Sequence, residues 1–444
     1  MFQSYAPATA HNGAHIVQQS VGGLERMAYV IGVVIFAFGL LFSVCLHEAG
    51  HMSVAKVLGM RVSRYFVGFG PTIFSFRRGE TEYGLKAIPA GGFVSIDGMS
   101  PHVMDIPAEH ERQAFWRASP WKRTAVMLAG SATHVLLAIA LLWLALSAFG
   151  IERSVDPATT PARLAAVSDC VVVNYDTLSD GALRPCRAGD PSAPAAVAGL
   201  RSGDVITAVN GTPTPNLASF QDTLRKVDGS QPVRLTYTRD GATATATVQP
   251  VLAQRPPADS TESSKLVPTP TIGVVGDLPS TVQRKGAVSG LGSAFATTGS
   301  MITATFKALG SIPAKVPALI DAVSGGQRDP NSPVSVVGAS RAGGEILGTE
   351  GVGGIAFFLA LLAGTNIFLA VFNLLPLPPL DGGHIAIMWY ERIRRRIALS
   401  RGLPDPGFVR PERIAPVVMV FVAVFGTFAL LAVVADVVNP VHLF

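Results

Sequence analysis

Four stretches of the chain are predominantly apolar and long enough to cross a bilayer as helices, which takes about 20 residues each. They are Ala28–Leu58, Thr124–Phe149, Gly351–Pro376 and Ile414–Val438. The first is not a cleavable signal peptide, because its apolar run is too long and no basic segment precedes it. Residues 1–27 before it are polar and read as a tail. Between the spans the pattern changes period. Phe74–Arg78 and Thr81–Ile88 alternate as strands and meet at Gly79-Glu80, a hairpin turn flanked by glycines that permit bends. Pro194–Gly211 predicts a short helix into Gly199-Leu200, a strand over Val205–Val209, and a turn at Asn210-Gly211. Phe220–Lys226 then reads as a helix, and Val233–Tyr237 and Ala244–Val248 as strands. Gln254–Val267 is rich in Pro, Ser and Thr and reads as a linker. Ser293–Leu319 is moderately apolar but is interrupted by Lys307 and Pro313, so we read it as interfacial, not as a fifth span.

The fold class that follows is a polytopic α-helical membrane protein with four transmembrane helices, a hairpin loop and an extramembrane α+β domain. Its segments are a tail (1–27), helix one (28–58), a loop with the hairpin (59–123) and helix two (124–149). The α+β domain (150–253), a linker with the interfacial helix (254–350) and helix three (351–376) follow. A second loop (377–413), helix four (414–438) and a short tail (439–444) complete the chain.

Composition agrees: 49% of the 444 residues are hydrophobic and 15% charged, with a mean hydropathy of +0.40. The net charge of +5 is modest and clustered, which favours membrane topology over nucleic-acid binding. Nine Lys and Arg residues lie between Gly59 and Arg123, and seven arginines lie between 377 and 413. Both loops therefore read as cytoplasmic, with the termini and the 150–350 region outside. Three cysteines are too few for a disulfide scaffold or a thiolate cluster. Cys45 reads as membrane packing; Cys170 and Cys186 fall in the outer domain, where a disulfide is allowed.

The chemistry lies in the first span, at His47-Glu48-Ala49-Gly50-His51. Histidines at i and i+4 share one helix face, a zinc-binding geometry, and the adjacent glutamate can act as general base. Such a motif alone is weak. Two imidazoles and a carboxylate deep in an apolar span are costly, however, which makes function a better reading than polar helix packing. With helix one running inward, His47 lies about 19 residues, roughly 28 Å, along it. A third ligand is offered at the same level by the sequence from Asn373 to His384, whose three prolines and double glycine break the third helix. Helix three also runs inward, so Asp381 reaches the depth of His47 and His51. Zn²⁺ with two neutral histidines, one aspartate and one hydroxide carries no net charge, which suits a medium of low dielectric.

These motifs resemble those of the site-2 proteases, intramembrane zinc metalloproteases of regulated intramembrane proteolysis. The carriers are His47–His51, Gly68-Phe69-Gly70-Pro71, Pro89-Ala90-Gly91-Gly92, and Asn373 with Asp381-Gly382, and the likeness covers residues 28 to 444. It is similar to the PDZ-containing bacterial branch that acts on anti-sigma factors, and to actinobacterial members in particular. The resemblance implies that His47, His51 and Asp381 bind Zn²⁺, that Glu48 is catalytic and that Asn373 holds the substrate backbone. It implies a membrane re-entrant β-hairpin over residues 66–98, whose edge can pair with an unwound substrate, and an extracytoplasmic PDZ-like domain. It also implies a multi-pass protein of the bacterial inner (plasma) membrane. Its partners would be the lipid bilayer and a single-pass membrane protein, an anti-sigma factor already cut outside.

One departure concerns the second helix, which has Gly130-Ser131-Ala132-Thr133-His134 where the family often has Gly-Pro-x-x-Asn. His134 could replace that asparagine as a hydrogen-bond donor to substrate, be merely packed, or lie near the metal. Two other classes remain as alternatives. A catalytically silent membrane PDZ scaffold binding protein tails would not need both metal motifs intact, and a transporter would need internal repeats or several intramembrane charges.

Overall fold

A computed structural model describes residues 11–99, 106–107, 109–175, 183–256, 266–325, 333–350 and 354–439. The chain divides into two units, one of residues 1–150 and 284–444 and another of residues 151–283.

The first unit opens with helix α1 (His11–Val57). It starts well inside the segment read as a tail, which contains no proline to interrupt a helix between His11 and the apolar run. Two long strands follow, β1 (Val62–Arg78) and β2 (Thr81–Ile96), joined at Gly79-Glu80. They form more than a simple hairpin. The first half of β1 pairs on one side with Gly92–Ile96 and on the other with Glu82–Leu85, while Thr72–Arg78 pairs with Thr81–Lys86. The result is a small folded-back sheet with Gly92–Ile96 along one edge. Helix α2 (Pro120–Leu144) continues through a π-helical turn to Phe149.

The second unit contains β3 (Ile151–Ser154), β4 (Leu164–Val167), α3 (Pro194–Val197), β5 (Val205–Val209), β6 (Thr212–Pro213), α4 (Leu217–Arg225), β7 (Val233–Arg239), β8 (Ala242–Val248), β9 (Val251–Arg255), β10 (Val267–Thr271), β11 (Val274–Gly276) and β12 (Ser280–Gln283). Its main sheet is antiparallel, in the order β6-β5-β7-β8. Leu217, Phe220 and Leu224 of α4 pack on Ile206, Leu235 and Val248 of that sheet. Asn210 and Gly211 both have positive φ in the two-residue turn between β5 and β6. Cys170 and Cys186 form a disulfide. The domain reaches beyond the expected boundary at 253. Strands β10, β11 and β12 return to pair with β9, β4 and β3. Pro268, Pro270 and Pro279 hide this from a reading by alternation.

Back in the first unit are α5 (Ala287–Val323), α6 (Val336–Glu350), α7 (Ile355–Asn373), α8 (Asp381–Ser400) and α9 (Pro411–Val438). The stretch read as interfacial is part of α5, which stays helical through Pro313 and Pro317. Ala294 of α5 packs against α2 and α7, and Leu319 against Ala432 and Ala435 of α9. Among the described residues four helices are long and apolar enough to span a membrane: Met27–Val57, Pro120–Phe149, Ile355–Asn373 and Glu412–Val438. Apolar side chains such as Ile31, Val34 and Phe38 on α1 and Val417, Met419 and Val420 on α9 face outward, as lipid-facing positions do.

Candidate metal centre

Near its C-terminal end α1 turns His47 and His51 to one face, both buried. The loop after α7 ends at Leu380, so Asp381 is the first residue of α8. Gly382 and Gly383 are buried, and the turn they make packs on the backbone of Leu374–Pro378. The turn brings α8 to the metal motif without a side chain in the way.

His47 Nε2 and His51 Nε2 lie 3.0 Å apart, and Asp381 Oδ2 lies 3.3 Å from the first and 3.4 Å from the second. Three ligands of a tetrahedral zinc at about 2.0–2.1 Å would stand roughly 3.3–3.4 Å from one another. Asp381 Oδ2 is buried with no hydrogen-bond donor, so its approach to the imidazoles is not ordinary hydrogen bonding. His51 Nδ1 donates to the carbonyl of Val126 at 2.7 Å, which leaves Nε2 with its lone pair toward Asp381 and His47. The donor set, its spacing and its tautomer therefore fit a zinc ion. These three residues also form the group of His and acidic side chains, among the described residues, able to hold a metal.

Glu48 points to the sheet. Its Oε2 accepts from the backbone N–H of Val94 at 3.0 Å, on the edge strand Gly92–Ile96. A second tether runs from Tyr65 Oη to the carbonyl of Cys45 at 2.8 Å. Burial pushes the Tyr65 phenol up to about 12, so it remains a donor throughout the physiological range.

Gly130 of α2 faces both imidazoles. A Cβ there would lie 2.6 Å from His47 Cε1 and 2.6 Å from His51 Cε1, so only glycine leaves room for the histidines.

His134, one turn further along α2, is 2% exposed, and its ring centroid is 5.0 Å from that of His47. Its Nδ1 is 2.8 Å from Asn366 Oδ1, and Asn366 Nδ2 donates to the carbonyl of Leu362 at 2.8 Å. The amide is thus oriented with its oxygen toward His134, so Nδ1 must donate and the neutral ring keeps its lone pair on Nε2. Nδ1 is therefore engaged within the protein, and Nε2 is the ring nitrogen left for a further partner. Sequence reasoning missed Asn366, which is fully buried. The available signal was an asparagine in an apolar helix, two turns before Asn373. Asn373 closes α7, half-buried and eight residues before Asp381.

The chain matches Peptidase family M50 over residues 35–402. It belongs to that family, the site-2 proteases, and is a zinc metalloprotease of the multi-pass membrane type. It is 40% identical over 420 residues to zinc metalloprotease Rip1 of Mycobacterium tuberculosis, covering 94% of this chain and all of that protein. It is 39% identical over 425 residues to zinc metalloprotease Rip1 of Mycolicibacterium smegmatis, with the same coverage. A putative zinc metalloprotease of Neisseria meningitidis is 28% identical over 424 residues, 81% of this chain and 90% of that protein.

Proposed function

We propose that His47, His51 and Asp381 hold the catalytic zinc and that the enzyme hydrolyses a peptide bond in or near the transmembrane segment of a membrane-anchored protein. The triangle of two Nε2 atoms and one carboxylate oxygen at the end of an apolar helix carries this reading. When bound, zinc lowers the pKa of a water and polarises the scissile carbonyl. Glu48, next to His47 and not one of the three clustered donors, takes the proton of the attacking water and passes one to the leaving amine. Asn373 hydrogen-bonds the substrate backbone. His134, with Nδ1 fixed by Asn366, offers Nε2 as an acceptor toward a substrate N–H.

A peptide bond in a helix is shielded by its own hydrogen bonds, so the substrate must unwind before attack. We assign the β1–β2 sheet as the re-entrant element that holds the unwound stretch by main-chain pairing. The second unit, with its four-stranded sheet and helix α4, supports a PDZ-like domain that screens substrates on the outer side of the plasma membrane. Its Cys170–Cys186 disulfide suits an oxidising, extracytoplasmic space. The substrate class that fits is a single-pass protein already shortened outside, such as an anti-sigma factor. Purified enzyme co-reconstituted in vesicles with a shortened single-pass substrate tests this. The account expects zinc-dependent release of a soluble fragment, and an intact substrate in the presence of a loaded zinc site would refute it.

A further inference from the structure

At the membrane entry of α2, a cleft of about 370 Å³ lies between the segment Trp116–Arg123 and α8. It is lined by Arg117, Arg123, Arg392 and Arg395, against two acidic residues, Glu391 and Asp405. Both acids have other partners: Asp405 pairs with Arg395 at 2.9 Å, and Glu391 accepts from the Val409 amide at 2.8 Å. Arg123 does not. It is only 9% exposed, its Nε is sealed without an acceptor, and its guanidinium rests over the Phe115 ring at 5.2 Å. A buried guanidinium with unused donors calls for an anion.

The helix terminus gives an independent reason. The N-cap Ser119 makes no side-chain cap, and no acidic residue occupies the first turn of α2. Ser119 and Pro120 line the cleft, so the positive dipole end of α2 lies beside it, with the N–H groups of Trp121 and Lys122 lacking intrahelical acceptors. Trp121, 71% exposed, packs edge-on against Trp389 at 4.7 Å, and Trp389 Nε1 donates to Thr124 Oγ1 at 3.2 Å. Tryptophans placed this way mark the level of lipid headgroups.

We infer that this cleft is a binding site for a phosphate group, that of an anionic lipid headgroup or a free phosphate, gripped by Arg123 and Arg392 at the N-terminus of α2. Planar guanidinium forks suit phosphate oxygens, and a basic pocket between membrane helices suits a phosphodiester at this depth. A bound phosphate would bridge α2, whose Val126 carbonyl holds His51, to α8, whose first residue is Asp381.

The test uses the zinc-loaded, full-length protein in nanodiscs of phosphatidylcholine doped with phosphatidylglycerol. Retained lipid is counted by native mass spectrometry, and zinc is measured on the same samples. Wild type should retain phosphatidylglycerol in preference to phosphatidylcholine. Arg392→Gln, at an exposed position, should lower that retention about tenfold. Arg123→Gln should remove it while zinc content stays unchanged. A second arm titrates inorganic phosphate into pure phosphatidylcholine nanodiscs and follows tryptophan fluorescence. A saturable response lost in Arg392→Gln would assign the site to free phosphate, and its absence alongside lipid retention would assign it to the headgroup. Equal phosphatidylglycerol retention in wild type and Arg392→Gln, with no arginine-dependent response to phosphate, overturns the site.

Discussion

The carboxylate of Glu48 and the backbone N–H of Val94 meet at 3.0 Å, which joins α1 to the edge of the folded-back sheet. The Val94 N–H points away from β1, so it is free of the ladder and serves Glu48 instead. Proline should therefore be tolerated here better than within the ladder, because no strand pairing is lost. A hydrogen bond to a charged group contributes roughly 1.5–3 kcal/mol. Val94→Pro should lower turnover about tenfold or more with zinc retained, while Val94→Ala stays near wild type. Steady-state cleavage with zinc analysis checks it; equal rates in the two variants would show that the sheet does not orient Glu48.

Gly130 makes a sharper demand. Its missing side chain is the space that the two imidazoles occupy. Gly130→Ala should weaken zinc binding by about 10–100-fold, the range seen when groups that orient metal ligands are disturbed. Competition with a chelator measures this. Unaltered zinc affinity would mean that α2 can move aside without disturbing the ligands.

In the second unit Asp204 is buried and accepts from Arg239 Nε at 2.7 Å, Arg239 Nη2 at 2.8 Å and the Arg201 amide at 2.8 Å. The Arg239 guanidinium holds its carboxyl below the usual range, with the Arg201 amide assisting and burial opposing. A depressed folded-state pKa gives stability that is complete above the unfolded value of about 3.9 and is lost as pH falls through the folded one. Asp204→Asn should thus destabilise β5 and β7 by about 2 kcal/mol at neutral pH. The difference should shrink below about pH 4 as wild type loses the pair. Hydrogen exchange across pH reads it, and a difference that persists at low pH would assign the effect to packing.

None of the residues assigned to metal, base or substrate backbone lies in the second unit. Replacing that unit with a flexible linker should preserve cleavage of a shortened substrate and should admit substrates whose outer domain is intact. If the shortened substrate is no longer cut although zinc is retained, the unit is a required binding module and not a screen.

The spans were legible because continuous apolar runs have few competing explanations. The proposed metal centre was legible because His47, His51 and Asp381, which the structure brings together, are polar residues in or beside apolar runs. The turn at Gly79-Glu80 was legible, but the extent of β1 and β2 was not, since Gly68, Gly70 and Gly91 break the alternation where the strands fold back. Helix α8 was read as loop because its apolar face is short and its arginines served the topology argument. Asn366 was missed because a single amide in an apolar helix gives no sign of its partner, 232 residues away in sequence.

The central claim is tested most directly by measuring zinc content and cleavage on the same preparations of wild type, Glu48→Gln and Asp381→Ala. Glu48→Gln should keep its zinc and lose cleavage, because Glu48 stands outside the three-atom cluster and supplies only the base. Asp381→Ala should lose both, since two imidazoles alone hold zinc poorly. Near-normal turnover in Glu48→Gln, or zinc and activity both retained in Asp381→Ala, would contradict the account.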